Sequence, residues 1–184
     1  MPPKARITKE MILDTVLDLT RKQGFESVNA RSIAAQLRCS TQPIFTCYAN
    51  MEEMKREFLT FAYAFYENYV QRYGQTFQGD PCLVLPLSYI AFAQQETHVF
   101  QLLFVHDMEL DMAEAKDFYR EAGNGTKAEA FAKALGLPVE QGRRVFLDLF
   151  FYAHGIAVLS AAGKVALQQE TGEKMVASLL SALL

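Results

Sequence analysis

The chain has no tryptophan, only three cysteines, and few residues that break regular structure: 10 glycines and 6 prolines among 184 residues. Cys39, Cys47 and Cys82 are scattered, with no CxxC pair and no Cys/His grouping at zinc-finger spacing. That excludes a disulfide scaffold and a cysteine-based zinc module. Low-complexity tracts are missing, and 51% of residues are hydrophobic, so the chain can build a core and disorder is not indicated. No HExxH, P-loop, GxGxxG or nucleophile–base pattern occurs, so neither an enzyme nor a cofactor is indicated. Met1 leads into Pro-Pro-Lys-Ala-Arg rather than an apolar run, so no signal peptide is expected and a cytoplasmic location fits.

What is present is apolar and helical. Residues 145–162 (VFLDLFFYAHGIAVLSAA) have the length of a membrane span. Asp148, His154 and Ser160 interrupt the stretch, and a helix buried on two sides in a soluble protein has the same composition. No membrane partner is expected.

Net charge is −3, which argues against a generic nucleic-acid binder, but the charge is unevenly placed. Residues 1–50 hold seven basic side chains (Lys4, Arg6, Lys9, Arg21, Lys22, Arg31, Arg38) and four acidic ones, a net +3 that leaves −6 for the remainder. A basic head on an acidic body is the pattern expected when only the head meets phosphate.

Every periodic signal is helical, and the fold class expected is all-α, with about nine helices. Residues 8–23 space Met11, Ile12, Val16, Leu17 and Leu19 at helical intervals, with Thr8 as N-cap and Gly24 as C-terminal stop. Asn29 caps a short helix over 31–37 that buries Ile33, Ala34 and Leu37. Residues 38–39 make a tight turn, and Ser40 is expected to cap a third helix over 41–48, with Pro43 in its first turn. A long amphipathic helix opens at Met51 and runs to about residue 72. Residues 74–81 form a loop. Helices are then expected to about 96, with Pro86 starting or kinking one, and over 99–105. The acidic run from Asp107 to Glu114 is expected to lead a helix through Arg120. Further helices follow over 127–135, 139–163 and 170–184. The expected division is a head over 1–50 and a body over 51–184.

Helix, glycine turn, short helix, tight turn and short capped helix make a helix-turn-helix arrangement. Its third helix is polar at its start and can present Thr41, Gln42 and Thr46 to base edges in a major groove. The stretch ILDTVLDLTRKQGFESVNARSIAAQLRCSTQPIFTCYANMEEMKREFL resembles the DNA-binding domain of the TetR family. The residues that carry the resemblance are Gly24-Phe25, Arg31, Ile33-Ala34-Ala35, Ser40, Ile44-Phe45, Tyr48 and Asn50 through Met54. It covers roughly 50 residues; beyond them only the helix order is similar. Three positions depart from the family pattern. Arg38 stands where glycine is usual, and a left-handed arginine costs on the order of 1 kcal/mol. Phe45 replaces a tyrosine and loses a hydroxyl, and Met51 replaces a lysine and loses a charge.

The resemblance implies DNA contacts from Lys4, Arg6, Asn29, Arg31, Arg38, Ser40, Thr41, Gln42, Pro43, Phe45, Thr46 and Tyr48. Lys4 and Arg6 form an N-terminal arm, and Tyr48 doubles as a head-core residue with Ile33, Ala34, Leu37 and Ile44. In the body, Tyr63, Tyr66, Tyr89, Phe92, Phe100, Phe104, Phe151, Tyr152 and His154 are candidates to line a ligand pocket between helices. His154 interrupts an apolar helix and must find a partner. The acids around His106 lack EF-hand spacing, and a solvated helix start accounts for them better than a metal site.

The resemblance further implies a homodimer through the last two long helices, a palindromic operator and release by a small-molecule effector, most simply as a repressor. One face of helix 139–163 (Val145, Leu149, Tyr152, Ile156) or the other (Phe146, Phe150, Ala153, Ala157) is expected to meet the partner. The alternatives from other classes are a helical small-molecule carrier and a protein-interaction module with weakened DNA binding.

Overall fold

A computed structural model describes residues 6–108, 110–120 and 123–184. Among them the regular structure is helical throughout, with no strand. The helices are α1 (Lys9–Gln23), α2 (Ala30–Gln36), α3 (Gln42–Cys47), α4 (Met51–Thr76), α5 (Val84–Gln95), α6 (Thr97–Gln101), α7 (Asn124–Ala134), α8 (Val139–Ala161) and α9 (Gln169–Leu183). Short 3₁₀ turns cover Phe25–Ser27, Pro81–Leu83 and Ala115–Arg120, and a π turn covers Leu102–His106. The chain divides into two compact units: residues through Glu67 with Glu96–His106, and Asn68–Gln95 with Asp107–Leu184.

The caps of the first unit are chemically specific. The Thr8 side chain accepts from Met11 N–H at 3.2 Å. Gly24 ends α1 at φ 83°, a conformation open to glycine, and its N–H bonds to Thr20 O. The Asn29 carboxamide oxygen accepts from Arg31 and Ser32 N–H, each at 3.0 Å, and Ser32 Oγ accepts from Asn29 N–H at 2.9 Å. That reciprocal capping box holds a helix of only seven residues, too short to persist alone.

The core of this unit is Ile12, Val16, Leu19, Ile33, Ala34, Ile44, Tyr48, Met54 and Phe58, all buried. Phe25 stacks on Phe58 at 5.6 Å, joining the α1–α2 connection to α4. Two ion pairs tie the start and end of α1 to other parts of the unit. Lys9 Nζ bonds Glu57 of α4 at 2.6 Å and lies 4.5 Å from the Tyr48 ring centroid. Arg21 forks onto Glu96 at 2.6 and 2.7 Å, and His98 Nδ1 donates to Arg21 O at 3.1 Å. Bidentate geometry makes the Arg21–Glu96 pair the more directional of the two, and it fixes the start of α6 to the end of α1.

Several sequence expectations shift here. α4 continues to Thr76, so the loop begins later than residue 74. Pro86 lies in the first turn of α5, where its missing N–H costs little. The described residues of the acidic run are not helical up to Ala115, and a 3₁₀ turn follows to Arg120. The reason is local. Asp117 reaches back to accept from Ala113 and Glu114 N–H at 3.1 and 2.8 Å, which stops an α-helix from starting at Asp107. Among the described residues, no group of His, Cys, Asp and Glu could hold a metal.

In the second unit α8 packs on α5, α7 and α9. By length and composition α8 is able to cross a membrane, but Val145, Phe146, Leu149, Ala153, Ile156 and Ala157 are buried inside the unit, as in a core helix. Six of the eight residues on the two faces singled out from the sequence are therefore buried in the monomer, and Phe150 and Tyr152 are half-buried. The stripe left open is a third one: Phe151, Gly155 and Leu159, spaced by four. Two faces are consumed because α5 and α7 both pack on this helix, which one-dimensional periodicity does not reveal.

Candidate nucleic-acid interface

α3 is a six-residue helix that buries Ile44 and exposes Gln42, Phe45 and Thr46. Residues three and four apart share a helix face, so these three side chains form one outward surface. Pro43 sits in the first turn as expected. Ser40 does not cap the helix. Thr41 holds the N-cap position in a helical conformation (φ −72°), without a side-chain cap bond, and Ser40 lies exposed in the preceding turn. Thr46 Oγ1 donates to Gln42 O at 3.0 Å, so its proton is committed and it offers an acceptor and a methyl group. The Gln42 carboxamide keeps a donor and an acceptor outward, with no partner among the described residues.

The cations of this unit sort into two groups. Lys9, Arg21 and Lys22 are paired with Glu57, Glu96 and Asp18. Arg6, Arg31 and Arg38 are exposed and form no ion pair among the described residues. These three are among the residues placed on DNA from sequence. Arg56 on α4 also lacks an ion pair there; it was not among the sequence candidates, since no motif position marks it. Lys4 lies outside the described residues.

Two candidates have internal work. The Asn29 carboxamide caps α2 and donates to Ser27 O at 3.2 Å, which leaves little of it for an outside partner. Tyr48 is 2% exposed, in the core rather than on a surface. Burial, with the Glu57 carboxylate nearby, pushes the pKa of its hydroxyl up.

Arg38 is the one residue other than glycine with positive φ (53°) among those described. It ends α2 in a Schellman turn, with Cys39 N–H bonded to Ala34 O at 3.0 Å. α7 and α8 end in the same six-to-one pattern, but with Gly136 and Gly163 at the left-handed position. Arg38→Gly is therefore expected to stabilise the fold by about 1 kcal/mol, raising Tm by roughly 2–4 °C. The same change removes an unpaired cation. On the sequence-based expectation that Arg38 meets DNA phosphate, affinity should fall, with the salt dependence of binding reduced by about one unit of slope. Thermal melting and salt titrations of wild type, Arg38→Gly and Arg38→Ala separate the two effects, because alanine loses the charge but keeps the strain.

The pocket candidates fall into separate groups. In the first unit Tyr63, Tyr66, Phe100 and Phe104 cluster: Phe104 lies 5.7 Å from Tyr63, 4.9 Å from Tyr66 and 5.5 Å from Phe100. The π turn carries Phe104 there, and the Tyr63 hydroxyl donates to Leu103 O at 3.5 Å. In the second unit Phe92 packs on Tyr69. The Tyr89 hydroxyl lies 2.9 Å from His154 Nδ1, and Phe150 stacks on the imidazole at 5.5 Å. Phe118 and Phe150, 4.7 Å apart, extend this cluster and were missed from sequence because an aromatic at helical spacing reads as core. Phe151 is 51% exposed. Tyr152 lines an open groove of about 510 Å³ between α8 and α9, with Thr171, Lys174, Met175, Ser178 and Leu179.

Burial lowers the His154 pKa from 6.5, so the neutral ring is favoured. The unfolded chain then binds the proton more readily than the folded one. Stability contributed by neutral His154 is complete above pH 6.5 and is lost as pH falls below it. Denaturant titrations from pH 7.5 to pH 5 should show this loss in the wild type and a flatter profile in His154→Gln.

Among the described residues the fold is all-helical, with a helix-turn-helix in the first unit and a helical bundle in the second. The structure is similar to the crystal structure of a TetR-like transcriptional regulator from Rhodococcus sp. RHA1, with a TM-score of 0.58 and 14% identity over 98% of this chain and 96% of that one. At that identity the likeness establishes the fold. No family model matches the sequence, and no curated protein matches it.

Proposed function

We propose that this chain is a ligand-responsive transcription regulator, a repressor in the simplest form, whose α2–α3 head binds operator DNA as a homodimer. The observation that carries the reading is the α3 surface: Gln42, Phe45 and Thr46 outward over buried Ile44, in a unit where Arg6, Arg31 and Arg38 are left without acidic partners. Phosphate contacts from such cations set orientation and affinity, while base contacts from the helix set sequence. Ser40, Thr41 and Pro43 belong to the same approach surface in this reading, Lys4 and Arg6 form the arm, and no enzymatic step is involved.

Dimerisation is assigned to α8 and α9. Phe151 and Leu159 leave apolar area open on α8, and Met175 and Leu179 line the groove beside it. A second copy would cover this area and give two heads related by a two-fold axis, hence an inverted-repeat operator. A small molecule held in the second unit would act through α4, which runs unbroken through 26 residues from Met51 to Thr76 and contributes to both units. A coupling of ~1–3 kcal/mol is the usual scale for such regulation.

Selection from randomised duplexes with the purified protein tests the reading. Enrichment of an inverted repeat bound by two chains is expected. Failure to enrich any sequence at low salt would overturn operator binding and leave a helical carrier or a protein-interaction module. If operator affinity is unchanged by every small molecule that binds the chain, ligand gating is wrong.

A further inference from the structure

Phe45 is a large apolar side chain on an otherwise polar surface. It is 50% exposed, makes no ring contact among the described residues, and shares the α3 face with Gln42 and Thr46. Ile44, its neighbour in sequence, is fully buried and supplies the attachment of α3 to the core. Half of the Phe45 side chain thus remains open to an outside partner. A phenyl ring has no donor for a phosphate oxygen and none for a base edge. The major-groove floor offers one group that an apolar ring can cover, the 5-methyl of thymine.

We propose that Phe45 is a specificity-determining residue that reads the 5-methyl group of a thymine in each operator half-site; the inference rests on the regulator reading above. Gln42 sets the register. Its carboxamide suits the N6 and N7 of adenine. Phe45 follows three residues later, about 4.5 Å along the helix axis. Base pairs stack about 3.4 Å apart, so the thymine lies within one or two steps of the adenine that Gln42 reads. Thr46, on the same face with its hydroxyl proton committed to Gln42 O, offers one methyl group against the whole phenyl ring of Phe45, and the Phe45→Ala variant separates the two. Covering the methyl removes apolar surface from water on both partners, the phenyl and the pyrimidine edge, and no hydrogen bond is lost.

The test replaces each thymine of the enriched half-site by deoxyuridine, one position at a time, in both halves of the duplex. Uracil keeps every hydrogen-bonding group and lacks only the methyl. For the wild type, one position should weaken binding about fourfold per half-site, the scale of one buried methyl group, and the others should be silent. Phe45→Ala should bind the thymine and uracil duplexes equally. The wild-type comparison alone decides if that variant proves poorly folded. Equal wild-type affinity for every uracil duplex, or discrimination that survives in Phe45→Ala, would overturn the inference while leaving the regulator reading intact. Absence of binding to any duplex would overturn the regulator reading and this inference together.

Discussion

Gln42→Ala is expected to weaken binding to the selected operator by about 1–3 kcal/mol, roughly 5- to 150-fold, while leaving affinity for unrelated DNA unchanged. The expectation comes from geometry. Gln42 is exposed at the first position of α3, and its carboxamide is free to make a bidentate pair with a base. It carries no charge, so its removal should not alter the salt dependence. Arg31→Ala should behave in the opposite way, weakening all duplexes alike and lowering the salt slope by about one. Fluorescence anisotropy on the operator and on a shuffled duplex, across salt concentrations, reads both quantities. A Gln42→Ala variant that loses affinity equally for both duplexes would place Gln42 on the backbone instead.

Gly142→Ala is expected to destabilise the second unit by about 3 kcal/mol, the upper end of overpacking costs. At roughly 2–4 °C per kcal/mol this lowers Tm by about 6–12 °C. Gly142 is buried on α8 where that helix crosses α7. A Cβ there would collide with Ala132 Cβ and stand 2.6 Å from Ala132 Cα. Those atoms belong to a helix backbone and its stub, so no flexible side-chain end can swing aside. The crossing is braced further: Arg143 bonds Glu129 of α7 at 2.8 Å, and its carbonyl accepts from the Tyr119 hydroxyl at 2.6 Å. Separating the helices therefore strains these bonds too. Ala132→Gly alone should cost about 1 kcal/mol through helix propensity, yet it should recover part of the loss when combined with Gly142→Ala. Melting of the four proteins in a double-mutant cycle measures that coupling. Simple additivity would show that the cost of Gly142→Ala does not come from the Ala132 contact.

The head was more legible than the body because its signals are local. Thr8, Gly24 and Asn29 act through residues within four positions of themselves, and the structure shows each in the capping or stopping role its type implies. Ser40 misleads for a related reason: a serine before a polar helix start is a good cap by type, but Thr41 already has helical dihedrals, so the turn closes one residue later. The left-handed state of Arg38 was legible only through the glycine that the TetR-type motif usually carries there. In the body the decisive contacts are long-range. Nothing in the sequence around Phe151 shows that α5 and α7 take up both expected faces of α8 and leave Phe151, Gly155 and Leu159 outward. The pairing of Tyr89 with His154 spans 65 residues. The candidate residues of the head are thus readable as a motif, whereas the aromatic candidates of the body separate into clusters that only packing defines.

The most direct test of the central claim is the ratio of affinities for the selected inverted repeat and for a shuffled duplex of equal length and composition, measured at physiological salt. Operator recognition predicts a ratio of at least about 10³, the lower bound for specific DNA-binding proteins. Equal affinities for the two duplexes would contradict it.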